Sequence, residues 1–267
     1  MTRLLPALLA LCCIGKAAAA EPPSYPFSGE TKLVHFDPAL PQITNAAPGV
    51  DYKFDLPAES FEISVPRNYT GRQPFGLFVF MNAGDQMTLP EGWADLLEKE
   101  KLICVLPQKI GNNQPFGRRV GLTFVGLLKT MERYKIDPKR VYTGGMSGGA
   151  RCSLQLAWLH NDVIAGNIGI CGANFYQPVP RVKAISGADY GVWPVPPDRV
   201  AAAKSRTRFA FITGKRDFRY GNILDIYHNG FVKHGFQATL IDQPNMGHEL
   251  CRPKSLLEAF QFVDGGK

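Results

Sequence analysis

Five residues near the middle of the chain constrain its fold most strongly: Gly145-Met-Ser-Gly-Gly149, a Gly-x-Ser-x-Gly pattern. Strand-favouring Val141 and Tyr142 precede it, and a helix-compatible segment follows. In such a pattern the serine occupies a sharp strand-to-helix turn with its hydroxyl at the top of a sheet, and the glycines leave room for neighbouring backbone. A glycine-rich turn without chemistry would fit the same residues, so the rest of the chain has to decide.

Apolar segments alternate with amphipathic ones on both sides of this pattern. Predicted strands cover residues 32–36, 61–65, 76–81, 102–106, 141–146, 163–171, 209–213 and 238–241. Predicted helices cover residues 93–101, 118–134, 148–160, 222–233 and 256–263, with a short one near 200–204. We expect 61–65 to be an edge strand and 137–140 to be a turn. Buried strands that alternate with helices predict an α/β fold with a mostly parallel central sheet flanked by helices.

Three regions of different composition follow one another along the chain. Residues 1–20 combine an early arginine, an apolar run too short to span a bilayer, and a small-residue site ending at Ala20. They predict a cleaved signal peptide and a secreted or periplasmic protein. Residues 21–57, rich in proline and polar side chains, predict an extended N-terminal arm or partial disorder. Residues 58–267 predict a single catalytic domain.

Charge and cysteine content limit the partners that the sequence supports. The formal net charge is +7, and loss of residues 1–20 removes two lysine or arginine charges. The remaining basic residues are scattered among acidic ones, which favours a solvated surface over a nucleic-acid partner. No transmembrane segment is predicted.

Four cysteines remain after cleavage, which permits a disulfide in any of three pairings, and their spacing does not resemble a metal site: Cys104, Cys152, Cys171 and Cys251.

Two polar residues besides Ser147 follow predicted strands. Asp217 comes after the seventh strand and His248 after the eighth. Because the carboxyl ends of parallel strands meet at one rim, we expect the three side chains to converge. An imidazole can take the proton of a serine hydroxyl, and a carboxylate on its other nitrogen fixes the tautomer. Asp225, within a predicted helix, is the alternative acid.

The remaining histidines fit the base role less well than His248. His35 and His160 precede the expected acid in the chain, whereas His228 and His234 fall in or at the end of a predicted helix. His248 lies in a glycine-containing loop after the last strand, where a catalytic base is expected.

A reacting carbonyl also needs hydrogen-bond donors for its developing negative charge. The backbone N–H of Gly148, directly after the serine, is one candidate. The second should come from the loop after the third strand, and Ala83 is the predicted donor, with Asn82 and Gly84 as alternatives.

These motifs resemble a known group of enzymes. The chain resembles exported bacterial esterases of the polyhydroxybutyrate-depolymerase and feruloyl-esterase-like α/β-hydrolase group. The segments that carry this resemblance are residues 136–149, residues 211–218 and Gly247-His248. The resemblance covers about residues 61–263 and is strongest over 111–175. It implies an α/β-hydrolase fold with a small lid insertion between strands six and seven, and it implies Ser147 as nucleophile, Asp217 as acid and His248 as base. The loop at Asn82 and the short insertion depart from the pattern of the group. These departures leave open whether the substrate is a polymer.

The expected activity is cleavage of carboxylic esters through an acyl-enzyme, without metal or organic cofactor, on a small-molecule or polymeric ester. Three aromatic residues in the insertion could line an acyl or aryl pocket, or they could simply pack the insertion onto the domain: Tyr176, Tyr190 and Trp193. A serine peptidase with the same triad is one alternative. A catalytically vestigial domain that binds an envelope polymer is another. The oligomeric state is open.

Overall fold

The computed structural model describes residues 27–180 and 192–265. The predicted signal peptide and Tyr190 lie outside these ranges, and the domain boundaries at 20 and 57 remain predictions. One eight-stranded sheet has the order β1-β2-β4-β3-β5-β6-β7-β8. Its strands are β1 (Glu30–Val34), β2 (Phe61–Val65), β3 (Phe75–Met81), β4 (Leu102–Pro107), β5 (Ile136–Met146), β6 (Gly166–Ile170), β7 (Arg208–Thr213) and β8 (Gln237–Asp242).

The pairing within the sheet confirms the predicted mostly parallel arrangement. The pairs β1/β2 and β2/β4 are antiparallel, and all other neighbours are parallel. Every residue of β3 and β4 is buried, which explains why both strands are continuous apolar runs without alternation.

Helices cover both faces of the sheet. They are α1 (Trp93–Glu100), α2 (Phe116–Arg133), α3 (Gly148–Leu159), α4 (Pro197–Arg206), α5 (Tyr220–Asp225) and α6 (Pro253–Val263). One apolar cluster joins α1 and α6 to the sheet, and a second joins α2 and α3 to the opposite face. In the described ranges, no helix has the length and apolar character needed to cross a membrane.

The N-terminal segment corrects one prediction. The strand expected at 32–36 lies at Glu30–Val34 and pairs along the whole of β2, from Glu30 opposite Val65 to Val34 opposite Phe61. The prediction that 61–65 is the edge strand is therefore wrong, because β1 occupies the edge. This part of the arm is fixed to the domain by backbone pairing, and Val34 is fully buried.

Two other segments differ locally from their predictions. Residues 137–140, expected as a turn, belong to β5. The pairing of β5 with β3 jumps there from Ile136 opposite Phe75 to Val141 opposite Leu77, so the extra residues bulge out of the ladder and Pro138 is accommodated. The helix expected over 222–233 is α5 followed by a π-helix over Ile226–Val232.

The four cysteines are all free and buried, so none of the three pairings that the sequence permits is formed among them. Cys104, Cys171 and Cys251 belong to one apolar cluster and Cys152 to the other, where a thiol packs as a small hydrophobic side chain.

Candidate active site

The serine of the Gly-x-Ser-x-Gly pattern sits at the junction of β5 and α3. Strand β5 ends at Met146, helix α3 begins at Gly148, and Ser147 between them has φ 56° and ψ −118°. A positive φ is strained for a residue with a side chain, and such strain is concentrated at functional sites. The N–H of Ser147 donates to the carbonyl of Ile170 at 2.8 Å, which fixes the turn to the end of β6.

Two glycines of the pattern are required by close backbone approach. A Cβ on Gly145 would lie 2.5 Å from the carbonyl carbon of Gly149, and one on Gly149 would lie 2.1 Å from the carbonyl oxygen of Met81. Strand β5, helix α3 and the end of β3 therefore pack too closely at this turn for any larger residue.

His248 reaches the serine from the loop after β8. Its Nε2 lies 2.9 Å from Ser147 Oγ, a hydrogen-bond distance between residues 101 positions apart in the chain. The N–H of Arg216 donates to the carbonyl of Met246 at 3.2 Å, which ties this loop to the loop after β7. A neutral imidazole in this position accepts the serine hydroxyl proton at Nε2.

Asp217 lies on the other side of the ring. Its Oδ1 is 2.7 Å from His248 Nδ1, and its side chain is fully buried. Two further donors hold the carboxylate: the Arg219 N–H at 2.9 Å on Oδ1 and the Thr213 hydroxyl at 2.9 Å on Oδ2. A buried carboxylate with these partners is oriented to accept the Nδ1–H, which leaves Nε2 free to act as the base.

The alternatives weighed in the sequence lie elsewhere. Asp225 is buried in α5, whereas the carboxylate hydrogen-bonded to His248 is that of Asp217. His160 stacks on Phe124 at a ring-centroid distance of 3.7 Å and hydrogen-bonds the Tyr52 hydroxyl at 2.9 Å. Burial lowers the pKa of His160 to about 4, so this ring is neutral at physiological pH.

The backbone N–H groups of the two predicted oxyanion donors differ in their hydrogen bonding. Gly148 is the first residue of α3, where a backbone N–H has no partner within the helix. Ala83 follows β3, and its N–H donates to Asn82 Oδ1 at 2.8 Å. The Ala83 N–H is therefore already engaged by the Asn82 side chain, and its role as the second oxyanion donor remains a prediction. The Ala83 carbonyl accepts the Asn112 N–H at 2.8 Å, which links this loop to the one after β4.

Two arginines lie on one side of the serine. Ser147, Arg151 and Arg219 line a small cavity of about 10 Å³. Burial, followed by the positive charge of Arg219, lowers the pKa of Arg151 to about 10, so the guanidinium stays charged at neutral pH. Charge of this sign next to the hydroxyl favours the negative charge that develops during attack on a carbonyl.

A buried cysteine supports the histidine loop. The Cys171 thiol lies 3.5 Å from the Gly247 carbonyl oxygen and 3.4 Å from that of Glu249, the residues on either side of His248. Burial, reinforced by the Asp217 carboxylate, raises the pKa of this thiol. Cys171, Asp217 and His248 offer ligand atoms within 4.8 Å of one another. A metal bound there would engage the Asp217 carboxylate and the imidazole of His248, which is hydrogen-bonded to Ser147.

Solved structures share this architecture at low sequence identity. S-formylglutathione hydrolase (FrmB) from Staphylococcus aureus is 12% identical with a TM-score of 0.64, covering 88% of this chain and 99% of that chain. A ferulic acid esterase is 14% identical with a TM-score of 0.57, covering 90% and 99%. LpqC, a poly(3-hydroxybutyrate) depolymerase from Bordetella parapertussis, is 18% identical with a TM-score of 0.52, covering 78% and 86%. The chain has the α/β-hydrolase fold. No protein-family model and no curated protein sequence matches it.

The described aromatic residues of the insertion separate into two environments. Trp193 lines a cavity of about 990 Å³ and packs edge-on against Phe116 at 5.0 Å. Tyr176 packs instead against Phe175 and Trp158 in the apolar core. Tyr190 lies outside the described residues. The cavity wall therefore includes Trp193, and the position of Tyr176 matches the packing alternative.

Several residues of the candidate site were not predicted from the sequence. Cys171 follows β6, so the argument from strand ends that selected Asp217 and His248 also applies to it. Thr213 and Arg219 lie within four residues of Asp217 in the printed sequence. Arg151 and Asn112 carried no such signal, because Asn112 meets Gly148 and Arg151 meets the loops after β6 and β7 only in the folded chain.

Proposed function

We propose that this α/β-hydrolase is a serine hydrolase that cleaves carboxylic esters through an acyl-enzyme intermediate. The observation that carries the proposal is the continuous hydrogen-bond chain from Ser147 Oγ through the His248 ring to the Asp217 carboxylate, at 2.9 and 2.7 Å. Esterases among the structural neighbours favour an ester over other acyl substrates.

The first half of the reaction acylates the serine. His248 Nε2 takes the hydroxyl proton while Ser147 Oγ attacks the ester carbonyl, and the N–H of Gly148 donates to the resulting oxyanion. The imidazolium is stabilised by the Asp217 carboxylate. It then gives its proton to the departing alkoxide, so that the alcohol leaves and the acyl group remains on Ser147.

The second half returns the enzyme to its starting state. A water gives a proton to His248 and attacks the acyl carbonyl from the side vacated by the alcohol. Collapse of the second tetrahedral intermediate breaks the bond to Ser147 Oγ, which recovers its proton from the imidazolium. The products are a carboxylic acid and an alcohol. Every step uses side chains of this chain and water.

Hydrolysis of 4-nitrophenyl butyrate tests the proposal. We expect measurable turnover by the wild-type protein and loss of at least about 10³-fold in kcat for Ser147→Ala, since the nucleophile is removed. Full activity of a folded Ser147→Ala variant would contradict the mechanism. A peptide p-nitroanilide measured in parallel separates the esterase from the serine peptidase alternative. Absence of turnover on both substrates, together with a folded protein, would favour the binding-module alternative.

We also propose that the protein acts outside the cytoplasm. The proposal rests on the charge, apolar run and small-residue site within residues 1–20. N-terminal sequencing of protein recovered from the periplasm or medium of an expressing bacterium should begin at Glu21. Accumulation of the uncleaved chain in the cytoplasm would contradict export.

A further inference from the structure

A large cavity lies beside α2, α3 and the loop after β4. It has a volume of about 990 Å³, and Phe116, Trp193 and Leu159 form part of its wall. Asn112 lines this cavity and also lies against Gly148, the residue after Ser147, because a Cβ on Gly148 would lie 2.0 Å from the Asn112 side-chain oxygen. A substrate held by the N–H of Gly148 could therefore extend one of its ends into this cavity.

Arg119 brings a buried positive charge into the cavity wall. Its side chain donates to the Ile110 carbonyl at 2.8 Å and to Asn112 Oδ1 at 3.2 Å, both of which are neutral acceptors. The residue is 6% exposed. Across residues 27–180 and 192–265, Arg119 takes part in no ion pair.

Other arginines in the same region are neutralised by carboxylates. Arg199, which also lines the cavity, pairs with Asp162 at 3.4 Å and Asp198 at 3.8 Å. Arg118, the preceding residue of α2, makes a two-pronged contact with Glu59 at 2.7 Å on each oxygen. Of these three arginines, Arg119 is the one without a carboxylate partner among the described residues, and a buried charge without a counter-ion is costly.

A second polar group in the cavity wall lacks a partner. Gln155 on α3 is 5% exposed, and its Nε2 donates to the Pro194 carbonyl at 3.2 Å. Its Oε1 is buried and accepts no hydrogen bond from the described residues. A buried acceptor of this kind is normally satisfied, so a ligand N–H or O–H group would complete its hydrogen bonding once the amide of Gln155 turns toward the cavity.

We propose that this cavity selects ester substrates that carry a carboxylate, held by Arg119, with a neighbouring hydroxyl or amide N–H donated to Gln155. The inference rests on the proposed ester hydrolysis. A carboxylate matches the planar donor fork of an arginine and would neutralise the charge in a largely apolar space. The apolar wall accommodates the chain between the carboxylate and the ester.

Matched pairs of substrates test the selectivity. Mono-4-nitrophenyl glutarate carries the charge on the acyl side, and 4-carboxyphenyl butyrate carries it on the alcohol side. In each neutral partner a carboxamide replaces the carboxylate at nearly the same size. We expect kcat/KM to favour the carboxylate by roughly ten- to hundredfold in one of the two series, as for a charged hydrogen bond in a buried site. No preference in either series would overturn the inference.

Two variants show whether Arg119 causes the preference. Arg119→Gln should bring the carboxylate-to-carboxamide ratio close to one, whereas Arg118→Gln removes an equal charge outside the cavity and should keep the ratio. A ratio that stays at its wild-type value in Arg119→Gln would overturn the inference.

A binding measurement separates this inference from the proposed function. Glutarate should raise the thermal unfolding temperature of the Ser147→Ala variant more than glutaramide does, and Arg119→Gln in that background should remove the difference. Selective glutarate binding without ester turnover in the wild type would support the cavity and reject the esterase. Ester turnover that requires Ser147, with neither glutarate binding nor a carboxylate preference, would reject the cavity and leave the esterase.

Discussion

Replacing Asp217 by asparagine removes one charge from the centre of the site and leaves its shape nearly unchanged. The carboxylate is fully buried and lies 2.7 Å from His248 Nδ1, so it faces the imidazolium that forms when Ser147 is deprotonated. Two unit charges about 4 Å apart attract by roughly 4 kcal/mol at an effective dielectric constant of about 20. This energy corresponds to about a 10³-fold change in rate.

The amide has a second effect. An asparagine that presents its N–H₂ to the ring favours the tautomer with the proton on Nε2, the atom that must accept the serine proton. We therefore expect kcat for 4-nitrophenyl butyrate to fall by about 10³- to 10⁴-fold in Asp217→Asn. KM should change little, because Asp217 lies behind the histidine.

Asp225→Asn is the matched control, since it removes a buried carboxylate from the neighbouring helix. Its kcat should stay within about threefold of the wild type. Circular dichroism and thermal unfolding would establish that both variants are folded. A folded Asp217→Asn enzyme within tenfold of the wild-type kcat would refute the reasoning, as would an equal loss in Asp225→Asn.

Three further predictions concern stability and the thiols. Burial lowers the pKa of His160 from 6.5 to about 4, so between these pH values the unfolded chain binds more protons than the folded protein. Acidification from pH 7 to pH 4 should therefore lower the unfolding free energy by about 3 kcal/mol through this group. Urea unfolding at both pH values should show a smaller loss in His160→Gln; an equal loss would contradict the assignment. Gly149→Ala should lower the unfolding free energy by about 3 kcal/mol or prevent folding, because its Cβ would lie 2.1 Å from the Met81 carbonyl oxygen; unfolding curves that superimpose on the wild type would refute the clash. The four buried cysteines should resist iodoacetamide in the native state and all react in urea without reductant; fewer than four alkylations in urea, restored by reductant, would reveal a disulfide.

The sheet and the active-site residues could be predicted because each depends on a strong local signal. Buried parallel strands are continuous apolar runs, as in β3 and β4, and the three polar residues follow strands whose carboxyl ends must share a rim. The order of the serine, aspartate and histidine along the chain then predicted that His248 lies beside Ser147.

The remaining features depend on contacts between distant segments. The edge position of β1 follows from its pairing with β2, and the alternation within β2 is the same whether or not another strand lies beside it. The bulge in β5 follows from its register with β3. The burial and the neutral partners of Arg119 arise only when α2 packs beside the loop after β4, so the sequence alone does not indicate them.

The central claim is that Ser147 is an activated nucleophile, and covalent labelling tests it most directly. The folded protein would be incubated with a fluorophosphonate, and the site and stoichiometry of the adduct would be measured by mass spectrometry. The account predicts one adduct per chain, on Ser147, that forms in the wild type and not in His248→Ala. Absence of labelling in the folded wild-type protein, or labelling of another residue with Ser147 unmodified, would contradict it.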